Sequence, residues 1–244
     1  MDNVIVILKR ELASYFATPL AYIFMVIYLF LSGVFTFYLG NLFAGGEASL
    51  QPFFMFHPWL YLLLIPAITM RLWAEERKSD TIELLLTLPV TMTQAVLAKF
   101  LAAWLFIGMA LVLTFPLWIT VNYLGQPDNG IIVAGYLGSL LMAGAYLAIG
   151  SCISALTKSQ VIAFVISLVI CFAFVLSGHP MFLNFFSGWA PQFLIDAISS
   201  FSFITHFNAI IKGVIDLRDL IFFLSLIGLW LFINVIVIEL KKAD

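Results

Sequence analysis

The residues best suited to meeting a soluble partner lie together between positions 75 and 89. This segment contains four of the chain's 13 acidic residues and two of its 11 basic residues, although charged residues make up only 10% of the sequence. Apolar runs precede and follow it. In a chain so poor in charged residues, this segment is the place best suited to meet water or a soluble partner, so we interpret it as a contact surface.

The spacing within this segment predicts a short helix over residues 81–87. Asp80 precedes Glu83 by three positions, so its side chain can accept from early backbone N–H groups while Glu83 reaches back. Pro89 removes a donor and disfavours helix at the residue before it. The helix presents apolar side chains beside a charged run: Ile82, Leu84, Leu85 and Leu86 after Glu75, Glu76, Arg77 and Lys78. Such a surface favours a protein partner; the alternative is that Leu85 and Leu86 lie in the membrane interface.

Three histidines raise the alternative of a metal site or an intramembrane enzyme. His57 and His179 each precede a proline at the end of an apolar run, and His206 stands apart from both. No His, Asp or Glu spacing along one helix supports metal ligation. The pattern therefore disfavours this alternative, and we expect neither a metal nor a cofactor on this chain.

The elements that must position these residues are membrane-spanning helices. Hydrophobic residues make up 64% of the sequence, and several apolar runs approach the length that crosses a bilayer. The runs are continuous instead of alternating, which favours helices over a membrane barrel. We predict an all-α, polytopic membrane protein of one domain, residues 1–244. Its six spans are predicted at residues 20–39, 53–70, 101–121, 131–156, 161–176 and 220–238.

Residues 1–19 are predicted to include a helix that lies along the membrane interface. Lys9, Arg10 and Glu11 stand there among apolar and aromatic residues, a composition typical of interfacial helices. Placing both termini in the cytoplasm puts nine of the 11 basic residues inside and leaves only Lys212 and Arg218 outside, as the positive-inside rule requires.

The external stretch 177–219 is too long for a simple connection between spans. It is rich in Phe and Leu and is broken by Pro180, Gly188 and Pro191. We predict short amphipathic helices that dip partway into the outer leaflet and pack on the spans or on a second subunit. Its role is either an ordered lid or a gate or docking surface.

The predicted span interiors contain no Asp, Glu, Lys or Arg. Lys99 and Glu239 fall at cytoplasmic ends, where long side chains can reach the interface. We therefore expect no buried ion pair and no proton relay, which disfavours an ion-coupled secondary transporter. In the fourth span Gly135, Ser139 and Ala143 recur every four positions, which predicts close helix packing.

Residues 75–90 resemble the segment after the second span of ABC-2 type exporter permeases. That family often has Glu-Glu-Arg/Lys, a Gly-Thr-hydrophobic-Glu core, Leu-Leu and Ser/Thr-x-Pro; here Asp80 stands where Gly is common. The six spans, the interfacial helix and the external hairpin extend the resemblance over nearly the whole chain. His206-Phe207-Asn208 and residues 213–219 make it most similar to permeases of gliding-motility and nitrous-oxide-reductase-maturation systems.

The resemblance implies a type V exporter-like permease that dimerises, with itself or a second permease chain, in the bacterial inner membrane. Two separate cytosolic ATPase subunits would bind ATP and Mg²⁺, since this chain has no Gly-x-x-x-x-Gly-Lys-Ser/Thr phosphate loop. Thr81 to Leu86 would be the coupling helix seated in an ATPase groove, flanked by residues 75–78. The interfacial helix around Lys9, Arg10 and Glu11 would add a second contact.

Two functions follow as expectations. One is export of an amphipathic or lipid-linked cargo. The other is mechanotransmission, in which the permease carries nothing and passes ATP-driven motion through residues 177–219 to a periplasmic or membrane accessory subunit. Besides the lipid bilayer and these proteins, no nucleic acid is expected as a partner.

Overall fold

The protein is described here from a computed structural model, which covers residues 2–43, 48–79, 90–187 and 191–241. Within these ranges the chain is helical and has no strand. The elements are α1 (Asp2–Ala17), α2 (Pro19–Val34) continued by a π-helix (Phe35–Leu39), α3 (Gln51–Met55), α4 (His57–Thr69), α5 (Ala74–Lys78), α6 (Met92–Val112), α7 (Phe115–Leu124), α8 (Asn129–Leu156), α9 (Gln160–Leu176), α10 (Pro180–Ser187), α11 (Gln192–Ser199), α12 (Phe203–Ile210) and α13 (Leu217–Leu240).

Side-chain caps mark where several of these helices begin. The Thr91 hydroxyl accepts from the Gln94 backbone N–H, and the Gln94 side chain accepts from the Thr91 N–H, which completes a capping box. The Asp128 and Ser159 side chains accept from early backbone N–H groups of α8 and α9, respectively. After α12, Gly213 adopts a φ of 85°, the left-handed region that favours glycine. This turn directs the chain toward α13.

Helix α8 is the centre of the fold. It packs against α4, α6, α9, α12 and α13, so its small residues lie where neighbouring helices approach closely. A Cβ atom on Gly144 would lie 2.9 Å from the Ile227 side chain, and one on Gly135 would lie 2.5 Å from Phe54. The predicted close packing along this helix is confirmed, because Ser139 and Ala143 are also fully buried.

Four predicted spans are long and apolar enough to cross a membrane. Among the described residues these are Pro19–Leu39, Met92–Leu124, Asn129–Leu156 and Leu217–Leu240. A further pair, Gln192–Ser199 with Phe203–Ile210, passes the same criterion as a unit but bends by 64°. This bent pair lies within residues 177–219, for which short helices were predicted.

The second and fifth predicted spans do not form single helices of 18 residues or more. The second is divided at Phe56 into α3 and α4, immediately before His57-Pro58, and α4 has 13 residues. Proline at the start of α4 lacks the N–H that would continue the preceding helix. The fifth, α9, has 17 residues, or about 26 Å at 1.5 Å per residue. The count of six spans therefore stays a prediction.

Candidate functional site

The charged run that precedes the predicted coupling helix forms the short helix α5. Glu75, Glu76, Arg77 and Lys78 lie on it, next to the end of α4. The other residues predicted for ATPase contact lie outside the described residues: Asp80, Thr81, Ile82, Glu83, Leu84, Leu85 and Leu86. The structure therefore describes the base of the predicted contact surface and not its apolar part.

A buried ion cluster joins α5 to two other helices. The Lys99 ammonium of α6 lies 2.7 Å from a carboxylate oxygen of Glu76 and 3.1 Å from one of Glu11 on α1. It also lies 5.2 Å from the centre of a Trp73 ring, which is within cation–π range. The Lys99 side chain is 3% exposed, against 15% for Glu11 and 21% for Glu76. One cation thus bridges α1, α5 and α6.

This cluster corrects the expectation that the chain has no buried ion pair and that Lys99 reaches the interface. Met92–Val112 begins well before the predicted third span, so Lys99 lies on the second turn of a helix covered by α1. Helix α1 covers Asp2–Ala17, where a helix was predicted, and it excludes water from the ammonium. Glu11 and Lys99 are separated by 88 positions, so no local pattern could pair them.

The electrostatics of α1 are consistent with a desolvated contact. Burial alone would raise the pKa of Glu11, but the nearby Lys99 and Arg10 together hold it below its ordinary value. Burial raises the pKa of Tyr15, and the Glu11 charge adds to that effect. Glu11 is therefore held in its charged form, with Arg10 2.8 Å away on its solvent side. Lys9, in contrast, is exposed.

Two serines of α8 hold the turn between α4 and α5. The Ser154 hydroxyl accepts from the backbone N–H groups of Trp73 and Ala74, each at 3.1 Å, and donates to the Met70 carbonyl at 3.1 Å. The Ser151 hydroxyl accepts from the Trp73 indole N–H at 3.1 Å and from the Asn234 amide at 2.8 Å. Because an unpaired buried N–H is costly, these contacts bind the turn firmly to the central helix.

Further ion pairs and carbonyl contacts surround this turn. Arg71 pairs with Glu75 at 2.9 Å, and Arg77 donates to the Ala155 carbonyl at 2.5 Å. Lys241, at the end of α13, donates to the Leu156 carbonyl. The exposed C-terminal end of α8 is thus met by basic side chains, which is favourable at the negative end of a helix dipole.

A cleft of about 430 Å³ opens beside the ion cluster. Its lining combines charged side chains with apolar and aromatic ones. The lining residues are Arg10, Glu11, Ser14, Tyr15, Thr18, Leu20, Phe24, Ile68, Arg71, Leu72, Glu75, Glu76, Lys99 and Phe106. The acidic and basic residues in this lining are equal in number, so the cleft has no net formal charge.

The three histidines proposed as metal ligands lie in separate environments. His57 is buried, 3.1 Å from the Tyr28 hydroxyl and 3.0 Å from the Phe53 carbonyl. His179 accepts from the Met181 N–H, and His206 pairs with a carboxylate at the other end of the external stretch. Among the residues described, no group of three or more His, Cys, Asp or Glu side chains is arranged to hold a metal.

The arrangement around Lys99 and Ser154 is suited to transmitting motion. A rigid turn is attached to the central helix on one side and to the third span and interfacial helix on the other. No sequence pattern identified Ser151, Ser154 and Asn234 as part of the site, because single polar residues in apolar helices usually serve packing.

Comparison with known proteins supplies an independent result. A family model described as ABC-2 family transporter protein matches residues 13–238. No curated protein matches the sequence.

Proposed function

The chain belongs to the ABC-2 family of transporter proteins, and from this we propose that it is the permease that couples separate cytosolic ATPase subunits to movement within the membrane. Membership makes the chain a multi-pass membrane subunit of an ABC transporter without its own ATPase domain. Dimerisation, six spans, cytoplasmic termini and location in the bacterial inner membrane are parts of the proposal.

The bridge made by Lys99 carries this proposal. Residues 80–89 follow α5 in the sequence, so a force applied to them reaches α5, which carries Glu76. Glu76 contacts Lys99 of the third span, and Lys99 contacts Glu11 of the interfacial helix. A displacement of α5 therefore either moves the other two helices or breaks a buried ion pair.

The proposed mechanism is mechanical. ATP binding, with Mg²⁺, closes the two ATPase subunits and pushes the coupling helices at residues 81–86. The turn held by Ser154 transfers the push to α8, which contacts most of the other spans. Two discrete packings of the helices are required. The cargo would be an amphipathic or lipid-linked molecule, and the chain would fall in the gliding-motility and nitrous-oxide-reductase-maturation branch.

A second candidate is mechanotransmission without transport. The external helices expose apolar side chains: Met181 is 80% exposed, Phe193 78% and Phe201 58%. Such a surface suits a periplasmic or membrane accessory subunit as well as lipid. Finding a bound accessory subunit together with ATP turnover but no cargo movement would favour this candidate.

The contact with the ATPase is tested by substitution in the predicted coupling helix. Leu85→Asp should place a charge in an apolar contact and cost several kcal/mol of assembly energy, because a hot-spot side chain is lost and a charge is buried. Glu83→Ala should weaken only the helix cap, by about 1 kcal/mol, and leave assembly intact with reduced coupling.

The measurement is pull-down of the ATPase together with ATP turnover in membranes. Normal assembly and turnover by Leu85→Asp would show that residues 81–86 face lipid or solvent, and the coupling proposal would be wrong. The isolated chain should bind no ATP. Cysteines introduced at Ser79 and Asn129 should be labelled from opposite sides of the membrane.

A further inference from the structure

His206 connects three parts of the external stretch. It lies on α12, and its Nδ1 is 2.6 Å from a carboxylate oxygen of Asp219 in the first turn of α13. Its Nε2 is 2.9 Å from the carbonyl oxygen of Ser200, which follows α11. The side chains of His206 and Asp219 are only 5% and 8% exposed. Phe222 stacks on the imidazole with 4.0 Å between ring centres.

The partners of the two ring nitrogens determine how many protons the contact holds. A backbone carbonyl can only accept, so Nε2 carries a hydrogen. An ionised carboxylate also can only accept, so Nδ1 needs a second hydrogen and the ring is an imidazolium. If the proton instead resides on Asp219, the total is the same. The contact therefore contains one proton more than a neutral imidazole beside a carboxylate.

No other titratable group near His206 in the described structure donates a hydrogen bond to Asp219 or contacts the imidazole as a second charge. Tyr146 of α8 donates to the Pro58 carbonyl, Asp196 of α11 accepts from Gln192, and Cys171 of α9 is buried. The charged residues flanking the contact, Lys212, Asp216 and Arg218, are exposed. In the part of the chain that the structure describes, Asp219 is the only charged group in contact with the His206 ring.

We propose that His206 and Asp219 form a proton-dependent latch that fastens α11 and α12 to the last span. With the proton present, the contact is a short, charge-assisted hydrogen bond. Without it, an imidazole lone pair faces a carboxylate in a buried site and the two repel. The sign follows directly: the latch is closed when this proton is bound and opens when it is lost, so higher pH favours opening.

The latch gives this end of the molecule a response to the pH of the solution it faces. The two helices α11 and α12 meet at a bend of 64°, and α11 has no buried residue. The His206–Asp219 contact attaches this hairpin to α13, and the Ser200 carbonyl holds the imidazole from within the hairpin. Opening the latch would free the exposed apolar side chains of α11 to move. This inference concerns the hairpin alone and does not depend on what the protein transports.

Hydrogen exchange of the purified full-length protein in lipid nanodiscs tests the latch. Exchange in residues 192–216, corrected for the intrinsic effect of pH, should increase at least about tenfold between about pH 5 and about pH 8, because a contact that has lost its one proton weakens about tenfold for each further pH unit. Exchange in α8 should stay constant after the same correction. Corrected exchange in residues 192–216 that does not change with pH would overturn the proposal.

Three variants separate the latch from a general effect of pH. Asp219→Asn should stay protected at every pH, since its amide can donate to the neutral imidazole. His206→Gln should exchange rapidly at every pH. His179→Gln removes another histidine of the same stretch, which only accepts from a neighbouring backbone N–H, and should behave like the wild type. If His206→Gln does not fold, Asp219→Asn decides. Exchange in residues 192–216 of this variant that still rises with pH as in the wild type would refute the latch.

Discussion

Replacing the buried Lys99 by methionine tests the central contact of the site. Methionine keeps an unbranched chain of similar length and removes the charge. The variant leaves the carboxylates of Glu11 and Glu76 in a partly buried site without the cation that bridges them. We expect Lys99→Met to be destabilising and to uncouple the interfacial helix from α5.

The size of the effect follows from the burial of the three groups. Removing one member of a fully buried ion pair costs about 3–5 kcal/mol. Here the acidic side chains keep 15% and 21% exposure, and Arg10 remains beside Glu11 at 2.8 Å. Water and Arg10 offset part of the loss, so we expect about 2–3 kcal/mol. For a chain of this length the melting temperature should fall by about 5–10 °C.

Thermal unfolding of the purified protein measures this change, and a triple variant identifies its cause. Lys99→Met combined with Glu11→Gln and Glu76→Gln removes all three charges, so it should recover most of the lost stability. Lys9→Met, at an exposed position of α1, should stay within about 0.5 kcal/mol of the wild type.

Two results would refute this reasoning. One is an unchanged melting temperature for Lys99→Met, which would mean that the ammonium is solvated. The other is a triple variant as unstable as the single one, which would mean that packing of the lysine chain, and not its charge, stabilises the site. With the ATPase present, the triple variant should fold but couple poorly, because the ionic bridge is gone.

Three further predictions concern the same end of the molecule. Ser154→Ala should lower the free energy of unfolding by about 1–3 kcal/mol, because it leaves buried backbone N–H groups without an acceptor. The control Ser225→Ala removes an exposed hydroxyl that bonds within its own helix and should not change stability. Equal shifts of the two variants in thermal unfolding would contradict the role given to Ser154. Gly150→Ala would clash with a buried threonine hydroxyl and should cost about 1–3 kcal/mol in the same assay, whereas Gly33→Ala has open space and should not destabilise the helix. Acid should release the interfacial helix: the pKa of Glu11 is lowered from 4.5, so its stabilisation is complete above that value and is lost as pH falls through the lower folded value. Hydrogen exchange of residues 2–17 should show this loss, and Glu11→Gln should abolish its pH dependence.

The helical membrane architecture followed from the sequence because it depends on local properties. Long apolar runs, and the need of each backbone to satisfy its own hydrogen bonds in lipid, determine helices without any tertiary information. The periodic small residues of α8 likewise predicted close packing, since each such position is defined within one helix. The segment at residues 75–90 predicted the family, which the match over residues 13–238 confirms.

The lengths of the helices were predicted less well. The break at Phe56 and the early start of Met92–Val112 arise where apolar composition alone gives no boundary. A proline decides where backbone hydrogen bonds begin in the first place, and a capping residue decides it in the second. Hydrophobicity averaged over a run of residues does not detect either one.

The polar contacts of the protein were decided by its tertiary structure. Lys99, Glu11 and Glu76 come from three separate helices, and Ser154 meets the turn after α4 across 80 or more positions. His206 and Asp219 pair only because α12 folds back onto the start of α13. A charge near the end of a span can face water, lipid or another charge, and its sequence position is compatible with all three. Burial by a neighbouring helix decides among them, because it removes the water that would otherwise solvate the charge and leaves an oppositely charged side chain as its partner.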